Sequence, residues 1–274
     1  MRKTLLYRLQ LAFTLAVSAF LVVPVLLSAL AGVTVNYFEG VGSGLTLRWI
    51  VEVWTGYRDT LFLSIGIALA CLGMCLLLGV PAAYALARGR SRWTRLAEEL
   101  LVMPVAVPGL ATALALITTY GALGNFRSSW TFILVGHVLF TLPFMVRSVV
   151  AVLAAIDLRT LEEGAASLGA GFVRRFFDVV LPNCRNGILA GSLMVVTLSL
   201  GEFNMTWLLH TPFTKTLPVG LADAYASLRL EIGSAYTLIF FVVIVPMLLA
   251  MQVLARPRQT RLGVDMNPPA PESP

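Results

Sequence analysis

The sequence predicts an all-α membrane protein with six transmembrane helices. Its 274 residues are 58% hydrophobic and 12% charged, whereas roughly 25% of the residues in soluble chains are charged. The mean hydropathy of +0.85 agrees with this difference. Apolar segments follow one another with lengths near the roughly 20 residues that cross a bilayer core. The basic residues are spread between these segments, so membrane topology explains the net charge of +6 better than nucleic-acid binding does.

The predicted spans follow directly from the apolar segments. They cover residues 11–31, 60–87, 97–120, 130–154, 188–209 and 234–254. In the third span, Pro104 and Pro108 predict a kink. Residues 29–31 have the composition of a signal-peptidase site, but the apolar run before them is longer than the about 7–15 residues of a cleaved signal. The chain therefore divides into an N-terminal helix with an extracytoplasmic loop (1–56), a transmembrane domain (57–255) and a disordered tail (256–274).

Charge predicts which ends of these spans face the cytoplasm. With six spans, 15 of the 20 basic residues fall on one side of the membrane. By the positive-inside rule this side is the cytoplasm. Both termini are therefore predicted to be cytoplasmic, as is the polar segment between the fourth and fifth spans.

That polar segment, residues 157–182, is the longest between apolar segments and predicts two short helices joined at a turn. Thr160 and Glu163 have the spacing of a capping box at the start of the first helix. The run Gly169–Gly171 predicts the turn, because glycine adopts positive φ without steric cost. Phenylalanine and valine side chains then recur at helical spacing, and Pro182 predicts the end of the second helix.

Within this segment the sequence resembles the EAA signature of the membrane subunits of binding-protein-dependent ABC importers. The resemblance lies in the order Glu-Gly-Ala from residue 163, glycine at 169 and Val-Val-Leu-Pro ending at 182, with Gly164 replacing the usual alanine. Residues 81–88, Pro-Ala-Ala-Tyr-Ala-Leu-Ala-Arg, are similar to the end of a span in the same family. The resemblance implies that residues 157–182, here called the coupling loop, dock into a groove of a cytoplasmic ATPase. The residues it assigns to this contact are Glu162, Glu163, Gly164, Ala165, Ala166, Gly169, Ala170, Leu181 and Pro182.

The resemblance also implies the other parts of the transporter. They are two ATPase subunits, a second permease subunit that is identical or paralogous, and an extracytoplasmic solute-binding protein, assembled in a bacterial inner membrane. Residues 198–203 and 216–218 are most similar to permeases of the polyamine, ferric-iron and aminoethylphosphonate group. The chain would then form half of the pathway for a small, polyamine-like solute. The alternative is a secondary transporter driven by an ion gradient, although the sequence lacks the convincing internal repeat expected of that class.

The sequence contains no recognisable catalytic or nucleotide-binding motif of its own. A P-loop needs lysine directly after glycine, but Lys3 and Lys215 follow arginine and threonine. The two histidines and three cysteines do not have zinc-site spacing. We therefore expect a non-catalytic subunit without a cofactor or metal, driven by ATP hydrolysis in a partner.

Glu202 is the most informative ionisable residue in the predicted spans, because a charge at membrane depth is costly and usually has a partner or faces water. Ser192, Ser199, Glu202 and Thr206 recur at helical spacing and predict a polar stripe on the fifth span. One hypothesis is that this stripe lines the translocation pathway, with Glu202 favouring a cationic or hydrogen-bonding solute. The alternative is that Glu202 makes an interhelical hydrogen bond or lies near the outer interface. His137, alone in an apolar span, is expected to be a hydrogen-bonded packing residue.

Overall fold

The computed structural model describes residues 2–89 and 91–255, and the described chain is almost entirely helical. The α-helices, α1 to α12, are Arg2–Ala31, Arg48–Arg88, Arg92–Ala106, Gly109–Tyr120, Gly124–Arg127, Trp130–Ala154, Leu158–Ser167, Phe172–Arg175, Leu181–Gly201, Asn204–Leu209, Leu217–Ala226 and Leu230–Ala255. A 3-10 turn lies at Gly40–Ser43, and a π-helical turn at Phe176–Val180 joins α8 to α9. The predicted all-α fold is confirmed. The predicted disordered tail, residues 256–274, lies outside the described residues.

The arrangement of long apolar helices agrees with the predicted six spans. Within residues 2–89 and 91–255, five helical segments are long and apolar enough to cross a membrane: α1, α2, α6, the continuous stretch Phe172–Gly201 and α12. Helices α3 and α4 meet at an angle of 101°, and they supply the sixth span if the bent pair is counted as one. Pro104 lies in the last turn of α3, and Pro108 precedes the first residue of α4. The predicted kink is confirmed, since proline lacks the amide donor that a continuous helix needs.

Helices α2, α6 and α9 form the centre of the bundle, and small residues allow them to approach closely. A β-carbon at Gly187 of α9 would lie 2.6 Å from a backbone oxygen of α6. A β-carbon at Gly191 would lie 2.7 Å from the sulfur of Met145, and one at Gly79 of α2 would lie 2.9 Å from the Cγ of the same methionine. Met145 is fully buried. This single side chain therefore occupies the space that two glycines leave between the three helices.

The fifth span departs from its prediction at both ends. Pro182 does not end the second helix of the coupling loop; it lies in the first turn of α9. The preceding turn is π-helical, with the Leu181 amide bonded to the carbonyl of Phe176, and this wider turn accommodates the proline without breaking the helix. At the other end α9 stops at Gly201, because Glu202 adopts extended backbone geometry before α10 begins. The prediction of one helix over residues 188–209 was therefore wrong.

The opposite end of α2 from the coupling loop is tied to the turn between α11 and α12. Arg229 donates hydrogen bonds of 2.7 Å to the hydroxyl of Tyr57 and to the carboxylate of Glu52. The hydroxyl of Tyr57 raises the pKa of the Arg229 guanidinium. Since α2 has 41 residues, it spans about 60 Å. It therefore connects this cluster to the coupling loop at its other end.

Candidate functional site

The coupling loop begins with an aspartate cap that differs from the predicted capping box. Asp157 precedes α7, and its carboxylate accepts hydrogen bonds from the Thr160 amide at 3.3 Å and the Thr160 hydroxyl at 2.7 Å. Glu163 does not reach back to the helix start; it accepts a 2.7 Å hydrogen bond from Arg159, which raises the pKa of that guanidinium. The capping-box prediction was wrong because the short carboxylate of Asp157 satisfies the free amide one turn earlier.

The coupling loop has two arms, α7 and the segment formed by α8 with the π-helical turn. The turn that joins them has the predicted glycine geometry. Gly169 has φ of +82°, a conformation that glycine adopts without the steric cost of a β-carbon. Its amide bonds to the carbonyl of Ala166 at 2.9 Å, and the Ala170 amide bonds to the carbonyl of Ala165 at 3.1 Å. These two hydrogen bonds form a Schellman motif, which provides donors for the otherwise free carbonyl groups at the end of α7.

An exposed surface of small and apolar side chains surrounds this turn. Leu168 is 90% exposed, and Phe172 and Val173 at the start of α8 are also exposed. Gly164 and Ala166 are exposed on α7. We call these five residues the docking face. Large apolar side chains at an otherwise polar loop mark a surface that a partner covers.

The other residues assigned to coupling lie around the docking face or behind it. Glu163 and Gly169 are exposed, whereas Ala165 and Ala170 are half-buried. Leu181 is half-buried and packs against the main hydrophobic core, while Pro182 beside it is exposed. Their contact with an ATPase stays a prediction.

Glu162 has a different position, because it points into the chain and anchors α7 to the end of α2. It is 3% exposed, and one carboxylate oxygen accepts a hydrogen bond from the hydroxyl of Tyr84. The other oxygen lies 3.2 Å from Nε of Arg88, whose Nη1 donates to the Tyr84 hydroxyl at 3.0 Å. We call Tyr84, Arg88 and Glu162 the clasp. The family resemblance includes the Pro-Ala-Ala-Tyr segment, but the sequence alone did not predict this role of Tyr84 and Arg88.

Tyr84 also contacts the second arm of the coupling loop. The centre of its ring lies 5.3 Å from that of Phe176 and 6.1 Å from that of Phe172. The tyrosine therefore holds α7 through its hydroxyl and holds α8 and the π-helical turn through its ring. Both arms are fixed to one side chain at the end of α2.

A polar cleft of about 540 Å³ opens beside the clasp, between the coupling loop and the ends of α2 and α6. Its charged lining residues are Arg88, Asp157, Arg159, Glu162, Glu163 and Arg175. Most of these charges are neutralised in pairs, Arg88 with Glu162 and Arg159 with Glu163.

A second polar cluster surrounds Glu202, where α9 is interrupted. One carboxylate oxygen accepts a 2.8 Å hydrogen bond from the Met205 amide. The other accepts from the Thr206 amide at 2.8 Å and from the Thr206 hydroxyl at 2.5 Å. The carboxylate thus caps the first turn of α10, where amide groups are otherwise free and negative charge is stabilised.

His137 of α6 joins this cluster to the end of α9. Its Nδ1 lies 2.8 Å from the hydroxyl of Ser199, and its Nε2 lies 2.8 Å from the hydroxyl of Thr206. The carboxylate of Glu202 is 3.8 Å from Nε2. His137 is 1% exposed, which confirms the expectation of a hydrogen-bonded packing residue. The four side chains tie α6, α9 and α10 together.

The predicted polar stripe is only partly assembled. Ser199, Glu202 and Thr206 come together around His137, whereas Ser192 donates a 2.7 Å hydrogen bond to the carbonyl of Ile188 in its own helix. A lining role for these residues in a translocation pathway stays a prediction.

The cysteines and the remaining ionisable residues do not form a metal site within residues 2–89 and 91–255. No group of three or more His, Cys, Asp or Glu side chains there could hold a metal ion. Cys71 and Cys75 are fully buried and lie 3.1 Å and 3.4 Å from the hydroxyl of Thr141. They are packing residues of the bundle.

The sequence is similar to known transport permeases over most of its length. The molybdenum transport system permease protein ModB of Mycobacterium tuberculosis is 30% identical over 233 residues, covering 79% of this chain and 85% of that protein. The putrescine transport system permease protein PotI of Escherichia coli is 28% identical over 256 residues, covering 89% of each. The sulfate transport system permease protein CysW of Synechocystis is 28% identical over 204 residues, covering 69% and 74%.

Solved structures show the same fold. A bacterial ABC transporter that imports the acidic polysaccharide alginate matches with a TM-score of 0.70 at 17% identity, covering 95% of this chain and 97% of the matched one. Residues 76–259 match the family model described as the inner membrane component of binding-protein-dependent transport systems. The chain therefore belongs to this family of ABC importer permeases and is a multi-pass inner-membrane protein.

Proposed function

We propose that this chain is the subunit that passes the motion of a separate ATPase to a translocation pathway, of which it forms half. A second permease subunit, identical or paralogous, forms the other half. Two ATPase subunits bind at the cytoplasmic side, and an extracytoplasmic binding protein delivers the solute. The observation that carries this proposal is the coupling loop, which is anchored by the clasp on one side and presents the docking face on the other.

The continuity of the helices supports a mechanical role for the loop. The second arm continues through the π-helical turn into α9 without a break. With 21 residues, α9 is about 30 Å long. It ends at the Glu202 cluster, where hydrogen bonds connect α9 to α6 and α10. A displacement at the docking face therefore acts on α2 through Tyr84 and on the Glu202 cluster through α9.

The energy for transport comes from the partner in this proposal. The sequence has no lysine in a phosphate-binding loop, so it supplies no nucleotide site of that type. The chain acts through contact surfaces, and ATP hydrolysis takes place in the ATPase subunits. This role accounts for an exposed docking face on a chain without a catalytic motif.

The solute is a small ion of the kinds for which the relatives are named. Putrescine is a cation, whereas sulfate is an anion and molybdenum enters cells as an oxyanion. The sequence suggested a polyamine-like solute through the similarity of residues 198–203 and 216–218, and Glu202 suggested a cationic or hydrogen-bonding solute. The oxygens of the Glu202 carboxylate, however, accept three hydrogen bonds from the first turn of α10. Its charge is thus engaged within the chain. We propose that the binding protein, and not Glu202, selects between cationic and anionic solutes.

Uptake into proteoliposomes tests this proposal. The complete complex is reconstituted and supplied with binding protein and radiolabelled putrescine, molybdate or sulfate. We expect ATP-dependent uptake of one of these solutes and none without the ATPase. Uptake driven by an ion gradient with the permease alone would instead support the secondary-transporter alternative.

A further inference from the structure

Among the described arginines that line the cleft beside the clasp, Arg175 is the one without an acidic partner. The two other arginines that line the cleft have partners, since Arg88 lies 3.2 Å from Glu162 and Arg159 lies 2.7 Å from Glu163. Arg175 is half-buried, and its Nε is buried without a hydrogen-bond partner. Among the described residues, no acidic side chain lies within salt-bridge distance of it.

A buried guanidinium nitrogen without an acceptor is costly, because the group has lost water and gained no replacement. Buried polar groups in native proteins nearly always have partners, so this exception points to a group that arrives from outside the chain. The carboxylates that line the cleft are already engaged: Asp157 with Thr160, and the two glutamates with the other arginines. The acceptor for Arg175 must therefore be supplied from elsewhere.

The position of Arg175 indicates which kind of molecule supplies it. Arg175 lies on α8 three residues after Phe172 and two after Val173, which both belong to the docking face. A protein that covers these apolar side chains can project an acidic residue into the cleft in the same contact. A free anion would occupy the cleft and leave the apolar side chains exposed.

We propose that the cleft receives a carboxylate side chain of the docked ATPase subunit, which accepts charge-assisted hydrogen bonds from Arg175. This inference rests on the proposed function and adds a specific polar contact to it. Arginine suits the role because its planar group can bind both oxygens of a carboxylate. The contact fixes the position of the ATPase relative to α8 and hence to α9.

Two neighbouring arginines provide a matched test. Arg175→Gln removes the unpaired charge, whereas Arg174→Gln removes an exposed charge on the same helix that pairs with Asp178 at 3.4 Å. The full-length permease is reconstituted in nanodiscs, and its affinity for the purified ATPase is measured. The thermal midpoint of each permease variant is measured without ATPase, and the bound phospholipid is quantified.

We expect Arg175→Gln to weaken ATPase binding by about tenfold or more, as for loss of a buried charge-assisted contact. Its thermal midpoint should stay equal to or rise above that of the wild type, because the isolated chain loses a half-buried guanidinium whose Nε had no hydrogen-bond partner. Arg174→Gln should bind the ATPase within about twofold of the wild type, as exposed pairs contribute little. If Arg175 merely stabilised the loop, Arg175→Gln would instead lower the thermal midpoint.

Other outcomes would overturn the inference in distinguishable ways. Equal ATPase affinity of the wild type and Arg175→Gln would show that Arg175 has no partner on the ATPase. If that equality came with a loss of anionic phospholipid from Arg175→Gln, the cleft would hold a lipid headgroup. Failure of the wild-type permease to bind the ATPase at all would refute the proposed function, and this inference with it.

Discussion

Replacing Glu162 by glutamine tests whether the clasp holds the coupling loop in place. Glutamine keeps the shape of the side chain and one acceptor oxygen, but it removes the charge and places an NH₂ group where Tyr84 or Arg88 now donates. The hydrogen bond from Tyr84 to the buried carboxylate is of the charged kind, worth about 1.5–3 kcal/mol. The Arg88 side chain is 47% exposed, so solvent screens its contribution to about 1 kcal/mol or less.

Together these losses should favour detachment of α7 by about 2 kcal/mol, which is about 30-fold in the equilibrium between attached and detached states. Hydrogen exchange of the α7 amides in the isolated permease measures this equilibrium directly. We expect about 30-fold less protection in Glu162→Gln. Glu163→Gln is the matched control, because its carboxylate is 65% exposed and its ion pair among the described residues is with Arg159 of the same helix.

Equal protection of α7 in the two variants would show that the clasp does not hold α7, since the buried and the exposed glutamate would then contribute alike. A uniform loss of protection along α2, α6 and α9 would also refute this role of the clasp, because the clasp is argued to fix the loop and not the bundle.

Three further substitutions test other parts of the structure. Gly169→Asp should lower solute-stimulated ATPase activity of the complex while the protein stays in the membrane, because a β-carbon at φ of +82° strains the turn by about 1–2 kcal/mol. Gly171→Asp is the control, because its φ of −67° lacks this strain. Equal activity of the two variants would show that the strain at Gly169 does not matter for coupling. Glu202→Gln should weaken the α10 cap by about 1 kcal/mol and so lower the thermal midpoint. An unchanged midpoint would refute the capping role, and unchanged transport at normal expression would refute the pathway hypothesis. Gly136→Ala should destabilise the bundle by about 1–3 kcal/mol in a detergent melting experiment, because its β-carbon would lie 2.4 Å from the sulfur of Met205 in α10. Gly66→Ala is the control, because its β-carbon meets nothing within 4 Å. Equal thermal midpoints of these two variants would show that α6 and α10 do not pack this closely.

The sequence predicted the features that depend on composition and local spacing. The fourth span was placed at residues 130–154, and α6 is Trp130–Ala154. Length and apolarity define such a helix without reference to the rest of the chain. The positive φ of Gly169 was predicted for the same reason, because the conformational freedom of glycine is a local property.

Features that depend on competing local signals were predicted less well. Asp157 and Thr160 can both cap a helix, and the choice between them depends on where Ile156 and the end of α6 direct the backbone. The break at Glu202 was missed because Ser199 and Thr206 are seven residues apart, a spacing that a continuous helix and this broken one both satisfy.

The clasp could not be predicted from spacing, because its members are far apart in the sequence. Tyr84 and Glu162 are separated by 78 residues, and their hydrogen bond depends on the packing of α2 against α6. The family resemblance drew attention to both segments separately. Only the folded chain shows that one tyrosine contacts both arms of the coupling loop.

Capture of the ATPase by the tagged permease tests whether the coupling loop is the docking site. The tagged permease is purified from detergent-solubilised native membranes as the wild type and as a variant substituted at both Glu163 and Gly169, with equal amounts of folded protein confirmed by gel filtration. We expect an ATPase subunit to be recovered with the wild type and to be lost from the variant. Recovery of no ATPase with the folded wild type, or equal recovery with both, would contradict the claim that the coupling loop is the docking site.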